Sequence, residues 1–115
     1  MQIKEFYAEL GGDYSGTLTR LMNERLMNKF IKKFPGDGSY AMLCDAIGAG
    51  DWETAFRGAH TLKGVCANLG FTKLQTASSE LTEAMRGGKP LTDFALFEAV
   101  KAEYAVTLDA IGKLE

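Results

Sequence analysis

Apolar residues in this chain recur at spacings of three and four from one end to the other, and no segment alternates with period two for long enough to make a strand. Residues 2–10 set Ile3, Phe6, Tyr7 and Leu10 on one side of a short helix that Gly11-Gly12 stops. Asp13 is placed to cap a long helix over 14–34 with a stripe of Leu18, Met22, Leu26 and Phe30, widened by Met27, Ile31 and Phe34. The cluster Pro35-Gly36-Asp37-Gly38 ends it. Ser39 opens a helix over 39–49 that carries Tyr40, Leu43 and Ile47, with Gly48 and Gly50 at its end. In the next, over 51–69, Asp51 is the N-cap, Gly70 the stop, and Ala55, Ala59, Leu62, Cys66 and Leu69 form the inward seam. A helix over 72–86 turns Leu74, Ala77, Leu81 and Met85 inward until Gly87-Gly88-Lys89-Pro90 breaks it. Thr92 or Asp93 caps the last, over 93–113, whose stripe is Phe94, Phe97, Val100, Tyr104, Leu108 and Ile111.

Short connections favour antiparallel neighbours, so the expected fold is all-α, an up-down antiparallel four-helix bundle of 14–34, 51–69, 72–86 and 93–113. Residues 2–10 and 39–49 are then short extra N-terminal and connecting helices. A length of 115 residues predicts a single domain, 1–115, with one core. The net charge of −2 gives no basic field for nucleic acid, and Lys29, Lys32 and Lys33 sit where they complement a helix dipole. No apolar run reaches the roughly 18 residues that span a membrane. The first ten residues lack the apolar stretch of a signal peptide, so a cytoplasmic location is expected. Met1 and a last helix running nearly to Glu115 point to a complete small protein. Cys44 and Cys66, far from any C-x-x-C spacing, read as small apolar residues, and with a single histidine no metal set is expected.

The candidate chemistry lies on the outer side of helix 51–69, where Glu53, Phe56, Arg57, His60, Lys63, Gly64 and Ala67 oppose the seam. His60 is the only histidine. Gly64 is the anomaly: glycine inside a helix costs about 1 kcal/mol against alanine, and a solvated face does not ask for it. The cost makes sense if something bulky approaches the backbone beside His60. Ala67, one turn on, keeps the same side low, and Lys63 at i+3 can reach an anion held on the ring. An imidazole, with a reference pKa of about 6.5, is mostly neutral near pH 7 and nucleophilic.

The run His60-Thr61-Leu62-Lys63-Gly64, within AHTLKGVCANLG, resembles the H-x-x-K-G motif of the histidine-containing phosphotransfer (HPt) domain, and the likeness is strongest between about Leu43 and Met85. The resemblance implies a phosphohistidine carrier in a multistep two-component relay. His60 would accept the group, Lys63 stabilise its charge and Gly64 leave clearance for the partner. It implies as partners a response-regulator receiver domain, which brings the aspartate and the Mg²⁺, and a hybrid sensor histidine kinase. No cofactor is expected on this chain, which acts as a monomer. It lacks G-x-x-x-x-G-K-[ST] and any kinase-type glycine-rich loop, so it is expected to be no enzyme in its own right. Phe56, Arg57, Ala67, Asn68 and Lys73 are the expected partner contacts, Phe56 either anchoring a partner helix or lying under the N-terminal helix. Many family members place Gln or Glu twenty-two residues past the histidine to hold its ring. Here that position is Thr82, with Ser79 one turn earlier and Glu83 next to it. The alternatives are a pseudo-HPt or helical interaction module that is never phosphorylated, and an enzyme using His60 as general base.

Overall fold

A computed structural model describes residues 1–115 and contains helices and turns with no strand. The elements are α1 (Ile3–Leu10), α2 (Tyr14–Leu21), α3 (Glu24–Lys33), a 3-10 turn (Phe34–Gly36), α4 (Ser39–Ala49), α5 (Trp52–Leu69), α6 (Thr72–Ala84) and α7 (Ala95–Lys113). Their inward faces supply 25 buried apolar residues that form one continuous core, in a molecule of 40 × 23 × 21 Å. No helix is long and apolar enough to cross a membrane.

Most helix ends fall where the cap residues place them. Asp13 accepts the Gly16 N–H at 3.0 Å, and Asp51 accepts that of Thr54 at 3.2 Å. Gly70 closes α5 with φ at +72°, a conformation that favours glycine. Space requires it as well: a Cβ there would stand 2.1 Å from the Thr17 hydroxyl oxygen and 2.8 Å from the Asp13 carbonyl oxygen.

The long helix expected over 14–34 is two helices. Met22 turns the chain with φ at +79°, is 81% exposed, and hands over to Asn23, whose side chain accepts the Leu26 N–H at 2.9 Å. The break resets the phase of the stripe. Thr17, Met27, Ile31 and Phe34 are buried there, Leu18 and Leu26 are half-buried, and Phe30 is exposed. The last helix begins at Ala95 instead of 93. Asp93 does accept the Ala95 N–H, at 3.0 Å, but Phe94 stays outside the core, edge-on to Trp52. The inward face of α7 is Val100, Thr107, Ala110 and Ile111, with Phe97, Tyr104 and Leu108 half-buried. Helix α6 stops at Ala84, two residues early, and Met85 is still fully buried just beyond it.

Residues 39–49 are more than a connector: α4 packs along α5 as extensively as α6 does. Gly58, on the side of α5 away from His60, permits this. A Cβ at Gly58 would lie 3.0 Å from the Leu43 amide nitrogen and 3.1 Å from its Cα, so the missing side chain is what lets two backbones meet. Gly58→Leu is expected to cost about 3 kcal/mol through overpacking, visible as a fall of roughly 10 °C in thermal melting. Tyr40 of α4 stacks on Tyr104 of α7 at 3.6 Å and 4°, which ties the other flank of α4 to the bundle. Burial pushes the Cys66 thiol up to about 12, in keeping with its place in the seam, and both cysteines are free.

The far end of α5 is finished by residues distant in sequence. A helix leaves its last four carbonyls unpaired and carries partial negative charge there. Arg20 of α2 donates from Nη2 to the Ala67 carbonyl at 3.0 Å and from Nε to that of Asn68 at 3.3 Å. The Tyr7 hydroxyl donates to the Leu69 carbonyl at 2.6 Å, and burial pushes that phenol up to about 12, so it remains the donor.

Candidate functional site

Helix α5 presents its two sides as the periodicity predicts. Ala55, Ala59, Leu62, Cys66 and Leu69 are buried, while Arg57, His60 and Gly64 are exposed and Phe56, Lys63 and Ala67 half-buried. His60 sits in the middle of eighteen helical residues capped at both ends. Its ring stacks on Phe56, one turn earlier, with centroids 6.0 Å apart and planes 18° apart. A Cβ built on Gly64 meets nothing within 4 Å. The glycine is therefore not demanded by packing within the chain, in contrast to Gly58 on the same helix.

Beside Gly64 the surface falls into a groove of about 490 Å³ between α5 and the end of α3. Thr61, Gly64, Val65 and Asn68 form one wall; Phe30, Lys33 and Phe34 form the other, with Asp37 at its end. Phe30, assigned to the core by its spacing, is 38% exposed and belongs to this groove. No three His, Cys, Asp or Glu side chains gather to hold a metal ion. The site as it stands offers an exposed nucleophilic ring, an ammonium one turn away, open backbone and an adjoining apolar groove.

Residues 26–110 match the family profile of the Hpt domain. The chain belongs to the HPt family. No curated protein and no solved structure matches it significantly. HPt domains are phosphotransfer modules of phosphorelays, and the match takes in the whole of α4, α5 and α6 together with the H-x-x-K-G run.

Against the family pattern, the structure places several expected contacts differently. Thr82 is fully buried in this HPt domain, and its hydroxyl donates to the Ser78 carbonyl at 2.6 Å, with no hydrogen bond joining it to the imidazole. On the helical wheel it lies about 80° from Leu74, at the edge of the apolar stripe. A short side chain with a methyl group turns inward there and satisfies its hydroxyl on the preceding turn. Ser79 is half-buried. Lys73 lies over Gly11, where an added Cβ would meet its Cε at 2.9 Å, and so belongs to the turn between α1 and α2. Asn68 does line the groove. Arg57 donates to the Thr54 hydroxyl at 3.1 Å.

Phe56 is half-buried, and a residue from beyond α6 lies over its ring. Arg86, in the turn after α6, holds its guanidinium carbon 5.3 Å from the Phe56 ring centroid. The same guanidinium grips Glu83 with Nε at 3.1 Å and Nη2 at 2.6 Å. Hydrogen bonding from Arg86 keeps the Glu83 carboxyl below the usual carboxylate range, and the charges of Arg86, of Lys63 and of a protonated His60 pull the same way. Sequence reasoning, which ran this helix on to residue 86, missed Arg86 because periodicity within one helix does not show a contact with another.

Proposed function

We propose that this HPt domain is the phosphohistidine carrier of a multistep phosphorelay, with His60 taking and returning the phosphoryl group. The observation that carries the reading is the pairing of an exposed His60 with backbone left bare at Gly64 one turn away. In the transfer a neutral imidazole nitrogen attacks the phosphorus of a receiver's aspartyl phosphate. The N–P bond forms as the O–P bond breaks, and the aspartate leaves as carboxylate. Such transfers depend mainly on positioning and on charge compensation. Here Lys63 supplies local charge and the partner supplies the aspartate and its Mg²⁺. A hybrid sensor kinase is the natural source of phosphate for a carrier with no nucleotide-binding motif of its own. The fold that accompanies the reading is the family's up-and-down antiparallel bundle, acting as a single cytoplasmic domain and as a monomer.

The groove beside Gly64, with Phe30 and Val65 on its walls, extends the contact a receiver makes around His60. Phe56, Arg57, Ala67 and Asn68 lie on the same helix. A second reading draws on buried Thr82, which leaves the ring without the side-chain partner many relatives have. It is a module that docks a receiver without being phosphorylated. Incubation with a receiver domain charged by acetyl phosphate decides between them: a carrier gains acid-labile, base-stable phosphate, and a docking module binds but gains none.

Lys63→Ala is expected to slow transfer several-fold and to shorten the life of the phosphorylated form without abolishing either, because the partner's metal and lysine also neutralise charge. Single-turnover transfer at saturating receiver checks this. An unchanged rate would reduce Lys63 to a solubilising residue.

A further inference from the structure

One carboxylate already draws the cations near His60 before any phosphate arrives. Glu83 binds Arg86 through two hydrogen bonds, and Arg86 in turn lies over the Phe56 ring that stacks on His60. From α5, Lys63 and a protonated His60 attract the same carboxylate. Glu83 thus stands, in the uncharged carrier, where Arg86 from the turn after α6 and Lys63 from α5 act on one carboxylate.

A phosphoryl group on His60 brings close to two negative charges to this cluster. Its oxygens offer a guanidinium the same two-pronged match that a carboxylate does, with more charge. The Glu83–Arg86 pair is weakly held against such a competitor, since its side chains are 59% and 56% exposed and water screens them. Phe56 gives the guanidinium a second foothold, on a ring that itself stacks on His60, while it changes partner.

We propose that Glu83 is a placeholder for the phosphoryl group, holding Arg86 ready beside the empty His60 and releasing it to the phosphoryl oxygens once the N–P bond has formed. The inference rests on the carrier reading above, and it gives Glu83 and Arg86 opposite effects on the life of the phosphorylated state. Arg86 is a positioning and charge-compensating residue, and Glu83 acts only through its competition for cations. In hydrolysis a water oxygen attacks phosphorus, the P–N bond breaks, the ring nitrogen takes a proton and orthophosphate leaves. The loose transition state moves charge away from the phosphoryl oxygens toward the leaving nitrogen, so cations on those oxygens favour the intact phosphohistidine.

The test needs no partner protein. His60 is labelled chemically with phosphoramidate, and decay of the acid-labile phosphohistidine is followed by ³¹P NMR, with a melting curve for each variant. Arg86→Gln is expected to shorten the lifetime about two- to fivefold and Glu83→Gln to lengthen it by a similar factor, the range of an exposed charge pair. Arg86→Lys should recover part of the loss, and the double variant should behave as Arg86→Gln does. A merely structural role would move Glu83→Gln and Arg86→Gln the same way, because each breaks the same pair. Wild-type lifetimes in both, or shifts of the same sign, would overturn the placeholder. The carrier reading is tested in a separate arm, transfer from labelled His60 to a receiver: its failure there leaves the lifetimes standing, while altered transfer with unaltered lifetimes counts against the placeholder alone. A His60 that phosphoramidate does not label would overturn both.

Discussion

Replacing His60 by Gln is expected to reduce phosphate acceptance below detection while leaving the fold intact. The chain has no second histidine to take over. Chemistry and structure separate cleanly at this position. The ring is exposed, its one aromatic neighbour is Phe56 on the same helix, and no hydrogen bond ties it to another element. Surface substitutions of this kind change stability by about 0.5 kcal/mol or less, and glutamine is at least as good a helix former as histidine. Circular dichroism and melting of His60→Gln should therefore overlay those of the parent, while acid-labile label from a charged receiver disappears. A variant that melts many degrees lower would make His60 a structural residue and remove the ground for the carrier reading.

The second large effect is expected at Gly64, where stability and function should move in opposite directions. With no atom within 4 Å of a built Cβ, Gly64→Ala adds nothing that clashes and removes the entropic handicap of glycine. The domain should gain up to about 1 kcal/mol, or roughly 4 °C in melting temperature. Gly64→Gln should fold equally well, yet its side chain fills the space a receiver loop enters beside His60. Transfer should fall at least tenfold, with weakened binding to the receiver. A folded Gly64→Gln protein that transfers at the parental rate would sink the clearing as the reason for this glycine. Gly58 supplies the control: an equally mid-helix glycine whose replacement strains the contact with Leu43 and lowers stability.

The difference between these two glycines marks what could be read from the letters. Periodicity assigned α5 its two faces correctly from Ala55 to Leu69, and polar caps at Asp13 and Asp51 with terminal glycines at 11, 50 and 70 set several helix ends. Those are local effects of spacing and hydrogen bonding. The break at Met22 was illegible because methionine is a good helix former and an apolar stripe runs on through it; Asn23 as a cap was the one signal. Once the phase slipped, Phe30 was counted inside when it lines the groove. Thr82 was named for its place twenty-two residues past the histidine, and spacing alone does not show that bonding to Ser78 lets its hydroxyl sit in the core. Arg86 reaches Phe56 from outside any regular element, and only tertiary structure reveals such a contact.

The clamp on the end of α5 has a consequence for where this molecule stops and starts. The match to the family profile begins at residue 26, inside α3, but the groups that close the histidine helix are Tyr7 and Arg20, the latter 48 positions from the carbonyl of Asn68. The family match and the mechanics of α5 therefore draw different borders through one chain. A segment cut at residue 26 would carry the His60 face with its supporting helix left unfinished at one end.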